Sequence, residues 1–125
     1  MRNNCWVILI FCCLLSCSKQ DQDNSFNFSS EGGPWYFNNV ELEGSKLVIE
    51  DGKESCPAEY WPEASVDSDE LWCAEISWAY VSYQPLKQTL YVRVNRNENG
   101  EKRTLKISST SNGKVKYYYI HQSRF

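Results

Sequence analysis

The chain has 125 residues with 13 Lys and Arg against 16 Asp and Glu, a formal net charge of −3 and one histidine. That length bounds it to one small domain plus any leader, and a mildly acidic balance with no basic stripe argues against nucleic acid as a partner. Aromatics make up 14% of the sequence, with five Trp and eight Tyr, so either the core is aromatic-rich or some rings face outward for a ligand.

In chain order, Arg2 supplies a positive start, and Cys5 to Leu15 is an apolar run unbroken by charge. Its length suits a signal peptide and is too short for a transmembrane helix. The run ends in Leu14-Leu15-Ser16-Cys17, which resembles the lipobox of bacterial lipoproteins. The resemblance implies residues 1–16 as a signal peptide, lipid on Cys17, and a chain anchored in the outer membrane, facing periplasm or cell surface. Two or three acyl chains at about 0.8 kcal/mol per buried CH₂ make a stable anchor, where one is marginal. Residues 17–25 are polar and aperiodic, as expected of a flexible tether. Within them, Ser18-Lys19-Gln20-Asp21-Gln22-Asp23 looks like an interrupted form of the acidic signal that sends some Bacteroidota lipoproteins to the cell surface.

The domain proper is expected over residues 26–125. Phe26-Asn27-Phe28 alternates like a short edge strand, and Gly32-Gly33-Pro34 breaks it. Trp35 to Leu42 reads as a strand, Glu43-Gly44-Ser45 as a turn, and Lys46 to Glu50 as a compact β run closed by Asp51-Gly52. No apolar period of 3.6 residues is long enough for a helix here.

Glu54 to Glu70 is irregular, with Pro57, Pro62, Tyr60, Trp61 and six acidic residues. Long loops in small domains are often functional. Asp67, Asp69 and Glu70 suggest calcium, but the spacing matches no complete loop and lacks the glycine of an EF-hand. Two carboxylates flanking one bond would suit glycoside hydrolysis; a solvated acidic loop is the plainer reading. Trp61, between Tyr60 and Pro62, either stacks on a ligand ring or plugs the end of the core. Once the signal is removed and Cys17 lipidated, only Cys56 and Cys73 remain. An oxidising compartment predicts a disulfide between them, typically stabilising by about 2–4 kcal/mol, with two free thiols as the alternative. No Cys-x-x-Cys spacing accompanies His121, so no zinc or other cofactor site is expected.

Leu71 to Tyr83 resumes β structure, read as one strand bent near Ser77 or Trp78 and ended by Gln84-Pro85. The last third, Thr89 to Gln122, is more tightly determined. Two Asn-Gly pairs, Asn99-Gly100 and Asn112-Gly113, punctuate alternating runs and predict at least three antiparallel strands. A two-residue type I′ turn at Asn112-Gly113 sets Leu105 opposite Ile120 and Ile107 opposite Tyr118 on one core face. The other face then pairs Lys106 with Tyr119, Ser108 with Tyr117, and Thr104 with His121. Tyr117 and Tyr119 should point outward beside Lys106, an aromatic–cationic surface able to stack sugars. By the same parity, Tyr91 and Arg93 should point away from a core formed by Leu90, Val92 and Val94.

Several features resemble the BACON domain, an immunoglobulin-like module of Bacteroidota envelope proteins associated with carbohydrate binding. They are Gly32-Gly33, Trp78-Ala79-Tyr80-Val81-Ser82, Val94-Asn95, Arg103 to Ile107, and Ile120-His121-Gln122. The resemblance implies an all-β, immunoglobulin-like antiparallel β-sandwich in which Asn95 and Arg103 fix the hairpin connection. It brings no catalytic residues. The chain also lacks a Gly-x-Ser-x-Gly elbow and a phosphate-cradling glycine loop. The expectation is a membrane-anchored, non-catalytic binding module for carbohydrate, with Trp61, Tyr117, Tyr119 and Lys106 as candidate contacts. The alternative is a structural or assembly lipoprotein that meets a partner envelope protein.

Overall fold

The computed structural model describes residues 24–61 and 70–125. The expected signal peptide, Cys17, most of the tether, and Pro62, Glu63, Asp67 and Asp69 lie outside those residues. The fold is an all-β, immunoglobulin-like sandwich of two sheets. The first carries the strand order β1(Ser25–Phe28), β10(Lys114–Gln122), β9(Arg103–Ser111), β3(Val48–Glu50), β4(Ser55–Pro57). The second carries β2(Gly33–Phe37), β8(Thr89–Val94), β7(Ala79–Gln84), β6(Trp72–Ile76), β5(Glu59–Tyr60). Each strand sends alternate side chains inward, so Ile49, Leu105, Ile107 and Ile120 of one sheet meet Val81, Leu90 and Val92 of the other. All seven are fully buried.

The β9–β10 hairpin has the register its turn residues demand. Leu105 pairs with Ile120, Ile107 with Tyr118, Lys106 with Tyr119 and Thr104 with His121. Asn112 (φ 53°) and Gly113 (φ 77°) both adopt the left-handed conformation that a type I′ turn requires.

Other segments differ from the sequence reading. Leu71 to Tyr83 is not one bent strand but the hairpin β6–β7, closed by Ser77 and Trp78, with Ile76 opposite Ala79. Neither turn residue has positive φ; side chains from elsewhere hold the turn. Glu54 accepts the Ser77 N–H at 3.0 Å and makes a further short bond with the Ser77 hydroxyl. The Asn95 backbone N–H donates to the Trp78 carbonyl at 2.9 Å. The Asn99-Gly100 pair does not make a hairpin either, because β8 and β9 belong to different sheets and the chain crosses between them. The strand expected over Trp35 to Leu42 stops at Phe37, and Asn39 turns the chain with φ 59°. Beyond it the Tyr83 hydroxyl donates to the Val40 carbonyl at 2.7 Å and accepts the Leu42 N–H at 3.1 Å. Burial, opposed by the Leu42 bond, raises the Tyr83 phenol above its ordinary pKa. β1 starts at Ser25 and runs parallel to β10 rather than antiparallel. The Phe26 and Trp35 rings stack at 3.9 Å and link the two sheet edges there.

The residues that carry the BACON resemblance meet at one pole of the sandwich. Arg103 lies 4.4 Å over the Trp78 ring and donates from Nε to Gln122 Oε1 at 2.8 Å. It also reaches the Asn95 and Arg96 carbonyls. Gln122, 1% exposed, donates from Nε2 to the carbonyls of Ser29, Ser30 and Asn95. Gly32 (φ 79°) passes so close to β8 that a Cβ would fall 2.5 Å from the Val94 carbonyl oxygen. Asn97, completely buried, donates to the Glu101 and Ser123 carbonyls and accepts the Asn99 N–H. Asn95 and Arg103 do not fix a hairpin connection, since β8 and β9 lie in different sheets; they meet where the chain crosses between the sheets. The whole set ties β1, β8, β9 and the C-terminal end together.

Candidate functional site

The four candidate contact residues do not come together. Tyr117, Tyr119 and Lys106 lie on the outer face of the first sheet. Trp61 continues β5 at the edge of the second sheet, its N–H bonded to the Leu71 carbonyl at 2.8 Å. No ligand of modest size touches both.

On the first sheet, Tyr117, Tyr119 and His121 form a row along β10, with ring centroids 6.2 and 6.4 Å apart and planes nearly parallel. Lys106 Nζ lies 5.2 Å from the Tyr117 centroid, occupying one face of that ring. The His121 ring bonds Thr104 through Nδ1. Exposed Val115 shares the row's parity. The row is flat.

On the second sheet the surface is concave. A cleft of about 440 Å³ opens where the chain crosses from β4 to β5, and Trp61, Glu59, Leu71, Cys73, Glu75 and Tyr80 line it. Trp61 is 48% exposed, so it stands at the rim and does not plug the core. Tyr60 faces the opposite way and packs on Trp72 with centroids 5.3 Å apart. Glu59 and Glu75 are exposed, and no cation among the described residues lines the cleft. The Tyr80 hydroxyl donates to Cys73 Sγ at 3.3 Å. Burial first, and then the Cys73 thiol, push the Tyr80 phenol up to about 12. It therefore stays a neutral donor at any physiological pH. Arg93 lies 5.0 Å over its ring.

The expected Cys56–Cys73 bridge is absent: both are free thiols. Strand parity explains why. Cys56 pairs with Ile49 and packs against the core. Cys73 alternates with the inward Ala74 and projects outward beside Glu59. Both thiols border one cleft, one on a strand of the first sheet packed against the core and the other on the outer face of the second.

A second hollow, of about 360 Å³, lies at the pole between Asp51, Glu54, Trp78 and Arg103. The Asp51, Glu54, Trp78 and Arg103 side chains in it are engaged by the fold. Asp51 accepts the Trp78 indole N–H at 2.8 Å and the Lys53 and Glu54 backbone N–H groups. Burial alone would raise its carboxyl, but these bonds outweigh burial and hold it below the ordinary aspartate value. Arg103 is occupied as described above, and burial lowers its guanidinium pKa from the usual value. This hollow is part of the scaffold. Among the described residues no cluster of His, Cys, Asp and Glu could hold a metal ion.

A solved NMR structure of a protein from Bacteroides thetaiotaomicron is similar to this chain, with a TM-score of 0.52 at 13% sequence identity. The match covers 82% of this chain and 78% of that one. At that identity the likeness speaks to the fold alone. No protein-family model and no curated protein matches the chain.

Two features of the site were not visible in the sequence. Tyr80 reads as core-facing if β6 and β7 are one strand; the two-residue turn reverses its parity. Glu59 and Glu75 come together only because Glu59 pairs with Cys73, next but one to Glu75.

Proposed function

We propose that the chain is a membrane-anchored envelope lipoprotein whose β-sandwich is a non-catalytic carbohydrate-binding module, with its site at the Trp61 cleft. The observation that carries this is the half-exposed Trp61 on the rim of a concave surface beside Tyr80 and two exposed carboxylates. An indole face stacks on the C–H face of a pyranose ring, and carboxylates accept its hydroxyls. An acid–base pair for hydrolysis would need one carboxyl held in an apolar pocket, whereas Glu59 and Glu75 both stand in solvent. The likeness to BACON domains is supported by the way Trp78, Asn95, Arg103 and Gln122 act as one structural unit. Anchoring rests on the lipobox, and labelled fatty acid should enter the wild-type chain and not Cys17→Ser.

The binding reading is tested on a glycan array with intact protein and Trp61→Ala. Saturable binding to one glycan class, lost in the variant, supports it; an array with no signal from folded protein removes it. The alternative, an assembly role, draws on the outward-facing row Val115–Tyr117–Tyr119–His121 on the first sheet. Recovery of one envelope protein by cross-linking, lost in Tyr119→Ala, would favour that reading.

A further inference from the structure

We propose that the ligand is a linear, uncharged glycan of several rings, lying across the strands of the second sheet from Trp61 to Tyr36. The proposal rests on the carbohydrate reading of the Trp61 cleft and adds to it the length, direction and charge of the ligand.

The register of the second sheet carries the argument. Tyr36 pairs with Tyr91, Tyr91 with Ser82, Ser82 with Cys73, and Cys73 with Glu59. These five residues form one row across five strands, all on the face turned away from the core. Neighbouring strands lie about 4.8 Å apart, so the four steps span about 19 Å, well beyond a single sugar ring. Small residues, Ser82 and Cys73, occupy the middle. Tyr80 leans into that gap from the adjacent position, with its hydroxyl on Cys73 Sγ. Ser82 is buried. The aromatic path therefore runs Tyr36, Tyr91, Tyr80, with centroid separations of 4.9 and 6.2 Å, and ends at the cleft that Tyr80 and Trp61 both line. Tyr36, at the far end on β2, is 54% exposed.

Charge and backbone select the occupant. A polyanionic glycan would meet Glu59 and Glu75 at the cleft, while Arg93 is already placed over Tyr80. A neutral chain offers hydroxyls to those carboxylates and C–H faces to the rings. An extended peptide takes its affinity from unpaired backbone groups at a sheet edge. This row crosses the face of β8, β7 and β6, each of which is paired on both sides.

Titration calorimetry with neutral gluco-, manno- and xylo-oligosaccharides of graded length tests the proposal, with oligogalacturonates as the acidic comparison. Affinity for one neutral series should rise with chain length and then level off. Tyr36→Ala should remove that rise and weaken the longest chain about 3- to 10-fold, the worth of one ring contact. Trp61→Ala should weaken every length. If short neutral chains bind at Trp61 and length adds nothing, or if the acidic series binds more tightly, the extended path is wrong and the cleft reading stands. If no member of any series binds, both readings fail together.

Discussion

Replacing Gln122 with methionine should cost far more than the loss of one polar side chain on a surface. Methionine nearly matches glutamine in length and volume, so packing is kept and only hydrogen bonding changes. In the native pole the three carbonyls that Gln122 serves each keep another donor. Ser29 retains the Gly32 N–H, Ser30 the Asn97 N–H, and Asn95 the Arg103 guanidinium. The group left without its partner is Arg103 Nε–H, which gives a 2.8 Å bond to Gln122 Oε1 in a half-buried position against Trp78. A lost bond to a charged group costs about 1.5–3 kcal/mol, and weakening three part-buried carbonyl contacts adds a further fraction. Together these give about 2–4 kcal/mol. In a domain of this size that lowers Tm by about 10–20 °C. Urea unfolding followed by tryptophan fluorescence measures it, since Trp78 sits in the affected cluster. A loss below about 1 kcal/mol would mean that water replaces the side chain and that the pole is not the clamp described.

Three further outcomes are expected. Asp51 is held below an unperturbed aspartate's 3.8, so its contribution to stability is complete above that value and is lost as pH falls through the lower, folded value. The stability deficit of Asp51→Asn should therefore be seen at neutral pH and disappear in acid, as followed by denaturant midpoints across a pH series. Tyr80, raised to about 12 from 10.0, contributes stability that is present below pH 10.0 and lost as pH rises toward 12. Cys73→Ala should bring its ionisation back toward 10.0, read from the tyrosine ring carbon shifts in NMR. Tyr83→Phe removes the bonds to Val40 and Leu42 and should cost about 1–3 kcal/mol by thermal unfolding, without changing the far-UV spectrum.

Local chemistry made part of this molecule readable in advance. Asn112-Gly113 and the alternation of Leu105, Ile107, Tyr118 and Ile120 each specify the same register, so β9 and β10 followed from two independent signals. The turn at Ser77-Trp78 carries no such signal. It is held by Glu54 and Asn95, which are distant in sequence, and so two strands read as one. The same difficulty hid the site. Exposed aromatics could be assigned to outward positions on their own strands. Which sheet each strand joins depends on crossovers such as that between β8 and β9, and these are decided by packing. Trp61 and Tyr119 thus look equivalent in the sequence yet stand on opposite sides of the molecule. Tyr36 had a usable clue, because it alternates with Phe37, which is buried, and with Trp35, which packs on Phe26 and Phe37. A strand expected to continue to Leu42 obscured it.

The parallel pairing of β1 with β10 has a mechanical side. The chain enters the domain at Asn24 and Ser25, and β1 lies along β10 with Ser25 beside Tyr119 and Phe28 beside Gln122. Tension applied through the N-terminal segment along the strand axis loads all four pairs at once, in shear. They do not peel apart one after another. Behind β1, Gln122 holds the Ser29 and Ser30 carbonyls, so the strand meets a stop at its far end as well.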